Sequence, residues 1–373
     1  MSAKICILTT VHPPFDTRIF HKQAKTLARA GYEVVLIAQH DRNEVVDRVK
    51  IVALPKPRNR FIRIFGLTWW AFFLALRERA DVYHFHDPEL IPLMLLLRAL
   101  RHVPIIYDVH EDYLTSIMQK RYLPKIFRPL LATFIATLER LASRRFAIIL
   151  AERYYVERFP TGTIVLNYPQ IYWEENQDSS LPDCVDAPRL LYTGNVTEDR
   201  GALIHATLPR LVPGIHVYMI GRCDPNLALR LRDIASPDHN RLHIVGIGTY
   251  VPHARIRAYY AVGGWLAGLM LFPPTPHYLR KELTKLFEYM AAGLPVVASN
   301  FPLWKEIVEG NRCGITVDPL DPKAIAQAIE YLLTHPEEAR QMGENGRRAV
   351  VEKYNWEQEK EKLLNLYEEL LKR

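Results

Sequence analysis

Lys285 and Glu288 are the pair of residues whose types and spacing most clearly suggest chemistry. They open the segment 285–299 (KLFEYMAAGLPVVAS), which predicts a helix ending at Gly293 and followed by a buried strand. Residues three apart share one face of a helix. Near a helix N-terminus, free backbone amides and an ammonium group favour a phosphate, while a carboxylate can accept hydrogen bonds from ribose hydroxyls. The segment therefore predicts a nucleotide-binding site, although a surface ion pair would explain an isolated Lys-x-x-Glu.

A second set of polar residues, rich in histidine and aspartate, lies in the first half of the chain. His84 and His86 alternate along a predicted strand, so their side chains point the same way. With further polar residues they can complete a binuclear metal site: Asp87, Asp108, His110, Glu111 and Asp112. The pattern lacks the further histidine of the metallo-β-lactamases and leaves the C-terminal half unexplained. A metal-dependent hydrolase is therefore an alternative, and we expect instead that one histidine packs in a core while the other lines a cleft.

These residues must be positioned by strands and helices that alternate in both halves of the chain. Apolar strands are predicted at residues 5–8, 34–37, 82–85, 105–107, 147–150, 190–192, 217–220, 242–245, 269–272, 295–298 and 314–317. Strand–helix alternation predicts parallel sheets covered on both faces. We therefore predict an α/β protein with two doubly wound, Rossmann-like domains facing a central cleft.

The predicted domain boundaries follow from a polar, proline-containing run between the two sets of strands. They are an N-terminal domain over 1–170, a linker over 171–187, a second domain over 188–354 and a C-terminal helix over 355–373 that packs back on the N-terminal domain. The glycine pairs at 246–248 and 263–264 do not extend to GxGxxG, so an NAD-dependent oxidoreductase is not favoured.

Five segments, in order, resemble the motifs of the family-4 retaining glycosyltransferases, which have the GT-B fold. They are residues 11–20 (VHPPFDTRIF), 84–87 (HFHD), 107–111 (YDVHE), 192–201 (YTGNVTEDRG) and 285–299. The resemblance covers nearly the whole chain, and five ordered motifs are more specific than any one. It implies an acceptor-binding N-terminal domain and a C-terminal domain that binds a nucleotide-sugar donor.

The resemblance implies roles for residues of the second domain. Arg200 corresponds to a basic residue on the donor diphosphate, and Lys285 supplies a second cation. Glu288 matches the second glutamate of the Glu-x7-Glu signature, which holds the ribose. Gly246 lies where the backbone meets the base. We expect Asn195, in the loop after the first strand of this domain, to contact the donor as well.

The resemblance also implies roles in the first domain. His110 aligns with a histidine that contacts the transferred sugar, and backbone amides near Thr17 and Arg18 approach the phosphate or the sugar. The remaining candidates are placed on the acceptor side: His12, Asp16, His86 and Asp87. His110, Arg200 and Lys285 are the predicted catalytic residues.

Two positions depart from the family pattern. Arg280 stands where the first glutamate of Glu-x7-Glu is expected, and Glu282 is the nearby carboxylate that can take over part of its role. Asn195 replaces the usual basic residue beside Gly194. Both departures concern the hydroxyl contacts of the sugar more than the nucleotide site.

The reaction implied by the resemblance needs neither a metal ion nor a cofactor. Arg200 and Lys285 meet the charge of the departing nucleoside diphosphate, and no Asp-x-Asp at a strand end suggests a metal clamp. Front-face attack, with the leaving phosphate as the base, requires no carboxylate nucleophile. A GT-B epimerase, which binds the same donor but transfers nothing, is the alternative within this fold.

The charge distribution bears on the partners. Basic residues outnumber acidic ones up to residue 160, and the balance reverses afterwards. No nucleic-acid-binding motif is present, so an anionic membrane surface is the favoured partner of the N-terminal domain. The segment 120–145 has the basic and apolar mixture of an interfacial helix, whereas the apolar segment 61–76 is predicted as a core helix. With no secretory signal and scattered cysteines, we expect a cytoplasmic protein attached peripherally to the inner face of the membrane.

Overall fold

The computed structural model describes residues 2–119, 124–171 and 184–372, which divide into two compact units. The first unit comprises Met1–Asn167 and Trp356–Arg373, and the second comprises Tyr168–Asn355. The C-terminal helix is thus part of the first unit. Most of the predicted linker, residues 172–183, lies outside the described residues.

The described part of the first unit contains an eight-stranded sheet. Its strands are β1 (Lys4–Leu8), β2 (Glu33–Gln39), β3 (Glu44–Val46), β4 (Val49–Leu54), β5 (Val82–Phe85), β6 (Ile105–Val109), β7 (Ala147–Leu150) and β8 (Thr163–Ile164). Their order is β3-β4-β2-β1-β5-β6-β7-β8, and every pair is parallel except the β3–β4 hairpin. Strand β1 lies between β2 and β5, so the direction of winding reverses beside it. Loops that follow strands at such a switch point commonly form binding sites in α/β proteins.

Helices cover both faces of this sheet. They are Thr17–Ala24, Lys25–Arg29, Arg60–Ile62, Arg63–Leu67, Thr68–Glu78, Ile91–Arg101, Tyr113–Gln119, Phe127–Ser143 and Trp356–Leu371, with short turns at Pro88–Leu90 and Arg153–Glu157. The helices Arg63–Leu67, Thr68–Glu78, Ile91–Arg101 and Phe127–Ser143 contribute to the core on one face. The first helices and Trp356–Leu371 fill the other face, where Trp356, Leu363 and Tyr367 are fully buried.

The prediction that the apolar segment 61–76 is a core helix is wrong for half of its surface. Leu67, Ala71 and Phe72 are buried, whereas Phe61 and Trp70 are 70% and 56% exposed. The segment is apolar around its whole circumference, but it packs against the sheet along one side only.

The described residues of the second unit form a six-stranded, fully parallel sheet. Its strands are β9 (Arg189–Thr193), β10 (His216–Cys223), β11 (Leu242–Ile247), β12 (Ala267–Met270), β13 (Val296–Ser299) and β14 (Gly314–Val317). The order β11-β10-β9-β12-β13-β14 is that of a dinucleotide-binding fold, with its switch point between β9 and β12. The predicted pair of parallel-sheet α/β domains is therefore confirmed.

The helices of the second unit connect these strands. They are Ala202–Leu211, Pro225–Ala235, His253–Val262, Thr284–Ala291, Pro302–Gly310, Pro322–Thr334 and Pro336–Glu352, with short turns at Glu198–Arg200 and His239–Arg241. Strand β12 ends two residues before its predicted end at Phe272. The reason is local: the Phe272 amide donates to Ser299 Oγ at 2.8 Å instead of continuing the ladder. In the part of the chain that the structure describes, no helix combines the length and the apolar character that crossing a bilayer requires.

Candidate active site

Lys285 is a buried lysine at the start of the helix Thr284–Ala291. Its side chain lies over aromatic rings, with Nζ 4.0 Å from the Tyr192 ring centroid and 5.1 Å from that of Phe272. Nζ donates no hydrogen bond to any residue that the structure describes. Burial, together with the positive charge of Arg200, lowers the pKa of Lys285 well below its usual 10.5. A buried cation without hydrogen bonds is costly, and a bound anion would remove that cost.

The loop after β9 keeps the space beside Lys285 open. A Cβ at Gly194 would lie 3.1 Å from Lys285 Nζ and 3.7 Å from Arg200 Nη1. Gly194 also has a φ of +102°, which side chains rarely adopt. The loop is fixed by Tyr192, whose hydroxyl donates to the carbonyl oxygen of Asn195 at 2.8 Å. Two cations, from Arg200 and Lys285, therefore approach one space that only a glycine leaves unfilled.

Glu288 faces the same end of the helix, one turn after Lys285, and is already hydrogen-bonded. Its Oε1 lies 3.0 Å from His253 Nε2, and its Oε2 accepts from the Tyr260 hydroxyl at 3.0 Å. Tyr260 is in turn 2.7 Å from Thr193 Oγ1, at the end of β9. No local sequence pattern indicates His253 and Tyr260, because they belong to a different helix from Glu288 and only a tertiary contact brings them together.

Gly246 and Glu282 occupy structurally constrained positions. Gly246 has a φ of +101°, and a Cβ there would lie 2.6 Å from the Gly221 carbonyl oxygen, so only glycine permits β10 and β11 to approach in this way. Glu282 is 8% exposed, and its Oε2 accepts from the Tyr168 hydroxyl at 2.7 Å.

In the first unit, His12 and His110 form a close pair of imidazoles. Their Nε2 atoms are 3.0 Å apart, and His12 Nδ1 lies 3.7 Å from Asp16 Oδ2. Burial alone would lower the pKa of His12, but the nearby carboxylates of Asp16 and Asp87 outweigh burial and raise it to about 9. Burial and the charge of His12 lower the pKa of His110. At neutral pH, a cationic His12 therefore donates to a neutral His110.

Asp16 and Asp87 hold the loop that carries His12. Asp16 caps the helix Thr17–Ala24 by accepting from the amides of Arg18 at 2.8 Å and Ile19 at 3.0 Å. The Arg18 amide, which we predicted to approach the donor, is thus bonded within its own loop. Asp87 is fully buried at the end of β5, where it accepts from the Thr10 amide at 2.6 Å. The two aspartates join the loops that meet at the switch point beside β1.

His84 and His86 are both fully buried, with ring centroids 4.6 Å apart. The expectation that one of them lines a cleft is therefore wrong, and His86 presents no exposed surface to an acceptor. Their nitrogens and Asp108 Oδ2 are close enough to share a metal ion. Asp108, however, accepts from Arg18 through both oxygens at 2.9 Å and from Gln23 at 2.6 Å. A guanidinium bound to the carboxylate disfavours a divalent cation, so the hydrolase alternative is not favoured.

Two family models match the chain. The model described as a glycosyl transferase 4-like domain matches residues 17–153, and the model for glycosyl transferases group 1 matches residues 284–349. The first match contains Arg18, Asp87 and His110, and the second contains Lys285 and Glu288.

Two similar proteins that align with most of the chain are named as glycosyltransferases. The D-rhamnosyltransferase WbpZ of Pseudomonas aeruginosa is 26% identical over 300 residues, which are 75% of this chain and 71% of WbpZ. The phosphatidyl-myo-inositol mannosyltransferase of Mycobacterium leprae is 24% identical over 305 residues, which are 77% of this chain and 73% of the mannosyltransferase.

Solved structures share the fold over nearly the whole chain. Sucrose-phosphate synthase from Thermosynechococcus elongatus has a TM-score of 0.75 at 19% identity, covering 99% of both chains. Anabaena HepE in complex with UDP and glucose has a TM-score of 0.71 at 12% identity, covering 98% of this chain and 100% of HepE. The family matches, the relatives and the fold agree, and the chain is a GT-B glycosyltransferase of the family-4 type.

Proposed function

We propose that the chain transfers a sugar, with retention of anomeric configuration, from a nucleoside-diphosphate sugar to a glycan or lipid-linked acceptor. The buried Lys285 ammonium beside Arg200 carries this proposal, because two cations around one glycine-lined space suit a diphosphate. The solved complex of HepE with UDP and glucose supports a nucleotide donor in this fold. The relative named for phosphatidyl-myo-inositol supports the inclusion of lipid acceptors.

In this proposal, the second unit stabilises the leaving group. Negative charge develops on the diphosphate as its bond to the sugar breaks, and the Lys285 and Arg200 cations lie where they can stabilise it. These two cations do the work that a metal ion does in other transferases, so the reaction proceeds without metal or cofactor. Glu288 binds the ribose hydroxyls, oriented by His253 and Tyr260.

The first unit positions the transferred sugar and the acceptor. Neutral His110 contacts the sugar, and its Nε2 accepts a hydrogen bond from cationic His12. His110 Nδ1 lies 3.3 Å from the Asp108 carbonyl oxygen, so this nitrogen carries the proton. The leaving phosphate accepts the proton of the attacking hydroxyl on the same face of the sugar, and no carboxylate nucleophile is required.

Thermal unfolding in the presence of nucleotides tests the donor site. A ligand that binds only the native state raises the unfolding midpoint. We expect one of UDP, GDP or ADP to raise the midpoint of the wild type, with or without a chelator, and to raise that of Lys285→Ala much less. The exposed Lys305→Ala, on a neighbouring helix of the same unit, is the matched control and should respond as the wild type does. Stabilisation by zinc alone, lost with chelator, would favour the hydrolase instead.

Turnover distinguishes transfer from epimerisation. Release of free nucleoside diphosphate that depends on an added acceptor indicates transfer, whereas conversion of the donor sugar without an acceptor indicates an epimerase. Lys285→Ala and Glu288→Ala should reduce transfer about 100-fold or more, as expected when charge-assisted contacts to the transition state are lost. Near-normal turnover in both variants would contradict the site assignment. The anomeric configuration of the product, measured by NMR, tests retention.

A further inference from the structure

A row of exposed aromatic side chains runs along the helical segment 60–78. Phe61, Phe65, Trp69 and Phe73 follow one another at a spacing of four residues, and each is between 45% and 70% exposed. The rings touch in two pairs, with centroids 4.7 Å apart for Phe61 and Phe65 and 6.1 Å apart for Trp69 and Phe73. Trp70 is exposed beside them. Contiguous exposed aromatic surface of this extent commonly marks an interaction site.

The apolar surface continues over two neighbouring helices. The helix Thr68–Glu78 contacts Ile91–Arg101, which contacts Phe127–Ser143, and all three contribute to the same core on one face of the first unit's sheet. We call them the outer helical layer. Its other exposed apolar residues are Leu96, Leu100, Phe127, Leu130, Leu131, Phe134 and Leu141, with Ile126 directly before the last helix.

The outer helical layer and its flanking residues carry an excess of positive charge, although Glu78, the last residue of the helix Thr68–Glu78, lies within the layer and pairs with Lys4 and Lys50. The sequence stretches 56–77, 91–103 and 124–146 contain many lysines and arginines but one carboxylate, Glu139. Glu139 is fully buried, where Arg158 Nη2 pairs with it at 2.5 Å. Exposed cations flank the aromatic row at Lys56, Arg58 and Arg60. The surface therefore combines apolar side chains with an excess of positive charge.

We propose that the outer helical layer is the surface by which this protein binds an anionic phospholipid bilayer. Tryptophan and phenylalanine enter the region between headgroups and acyl chains, and arginine and lysine pair with the anionic headgroups. A second copy of the same surface is a poor partner, because the two basic surfaces would face each other. The inference does not depend on the proposed transferase chemistry, since neither donor nor acceptor takes part in lipid binding.

Vesicle flotation of the full chain tests this proposal. We expect the wild type to float with phosphatidylcholine vesicles containing about 30% phosphatidylglycerol, and much less with phosphatidylcholine alone or at high salt. The variant Phe65→Ser/Trp69→Ser/Trp70→Ser/Phe73→Ser should lose vesicle binding by about tenfold or more. The matched control is Val45→Ser/Leu229→Ser/Leu320→Ser/Val351→Ser, which removes four exposed apolar side chains elsewhere and should bind as the wild type does.

A charge variant keeps the test independent of the aromatic side chains. Arg58→Glu/Lys125→Glu/Arg144→Glu/Arg145→Glu changes only exposed residues of the layer and its flanks, and it should also lose binding to anionic vesicles. Circular dichroism and the unfolding midpoint verify that each variant is folded. The proposal is overturned if the wild type fails to float with anionic vesicles, or if both folded variants bind as it does. Dimerisation that the aromatic variant abolishes, without vesicle binding, would assign the surface to self-association instead.

Discussion

At the scale of single residues, Lys285 has the property from which most of the proposed chemistry follows. Its Nζ lies above two aromatic rings beside Arg200, where burial lowers its pKa. A lysine with a lowered pKa loses its proton at a lower pH than an exposed lysine does. A diphosphate stabilises the charged form and raises the pKa again, so its binding is coupled to proton uptake.

We predict that nucleoside diphosphate binding takes up protons through Lys285. At about pH 8 the phosphate groups are fully ionised, because their second pKa is about 6, so the ligand itself contributes no protons. Calorimetry in two buffers of different ionisation enthalpy measures the uptake. It should be smaller in Lys285→Arg, which keeps the charge but does not titrate in this range. Equal uptake in the wild type and in Lys285→Arg would show that another group titrates.

The pKa of His12 is shifted upward, in the opposite direction to that of Lys285. Its pKa in the folded protein is about 9, above its ordinary 6.5, because Asp16, Asp87 and Glu111 outweigh burial. The stability that this ion pair contributes is fully present below the ordinary pKa and is lost as the pH rises through the folded value. His12→Gln should therefore reduce the free energy of unfolding more at about pH 6 than at about pH 9.5. Denaturant titrations at the two pH values measure this difference, and a pH-independent loss would argue against the ion pair.

At the scale of elements, the loop between β9 and its following helix depends on Gly201. Its φ is +81°, and a Cβ there would lie 1.8 Å from the Leu271 carbonyl oxygen, just past the end of β12. Gly214 has nearly the same φ of +82°, but a Cβ there would have no atom within 4 Å. The substitution Gly214→Ala therefore measures the cost of the backbone conformation alone.

We predict that Gly201→Ala destabilises the chain far more than Gly214→Ala does. The left-handed conformation alone costs an alanine roughly 1 kcal/mol relative to glycine. Gly201→Ala adds a clash with backbone, which moves the loop that carries Arg200, so nucleotide binding should weaken as well. Denaturant unfolding and nucleotide titration of both variants measure the two effects. Equal losses of unfolding free energy in the two variants would show that the clash with Leu271 adds nothing to the cost of the backbone conformation.

For the helical segment 60–78, the composition predicts that a helix forms but does not predict what surrounds it. Its apolar residues predict a helix, and a core position is the ordinary place for such a helix. Because the segment is apolar on all sides, periodicity does not distinguish a core helix from one that leaves a full aromatic face exposed. Only packing on the sheet assigned Phe72 to the core and Trp70 to the surface.

At the scale of the whole molecule, the last helix belongs to the first unit although it follows the second in sequence. Trp356 is 1% exposed in the core of the first unit, where its Nε1 donates to Thr26 Oγ1 at 2.9 Å. The Tyr367 hydroxyl oxygen lies 2.7 Å from His84 Nδ1, in the same unit. The first unit is therefore completed only after the second unit has been synthesised.

We predict that Trp356→Ala destabilises the first unit and Trp304→Ala the second. Each substitution removes a buried indole and should cost about 3 to 5 kcal/mol. Trp304 is the matched control, since it is fully buried in the second unit and its Nε1 donates to the Lys281 carbonyl oxygen at 2.7 Å. Hydrogen exchange should show faster exchange in β1 and β2 for the first variant, and in β12 and β13 for the second. Faster exchange throughout the chain in either variant would mean that the units unfold together.

The sequence by itself determined the strand–helix alternation, two parallel sheets and the family motifs, because apolar periodicity and short ordered motifs are local properties of the chain. The strands at 82–85, 147–150 and 314–317 were predicted to the residue. The β3–β4 hairpin was missed, since its turn uses Asp47 and Arg48 at positive φ rather than glycine. Tertiary structure alone decided which polar groups meet: His253 with Glu288, His12 with His110 and Arg18 with Asp108. These contacts join residues 35 to 98 positions apart, and no local pattern encodes such distances.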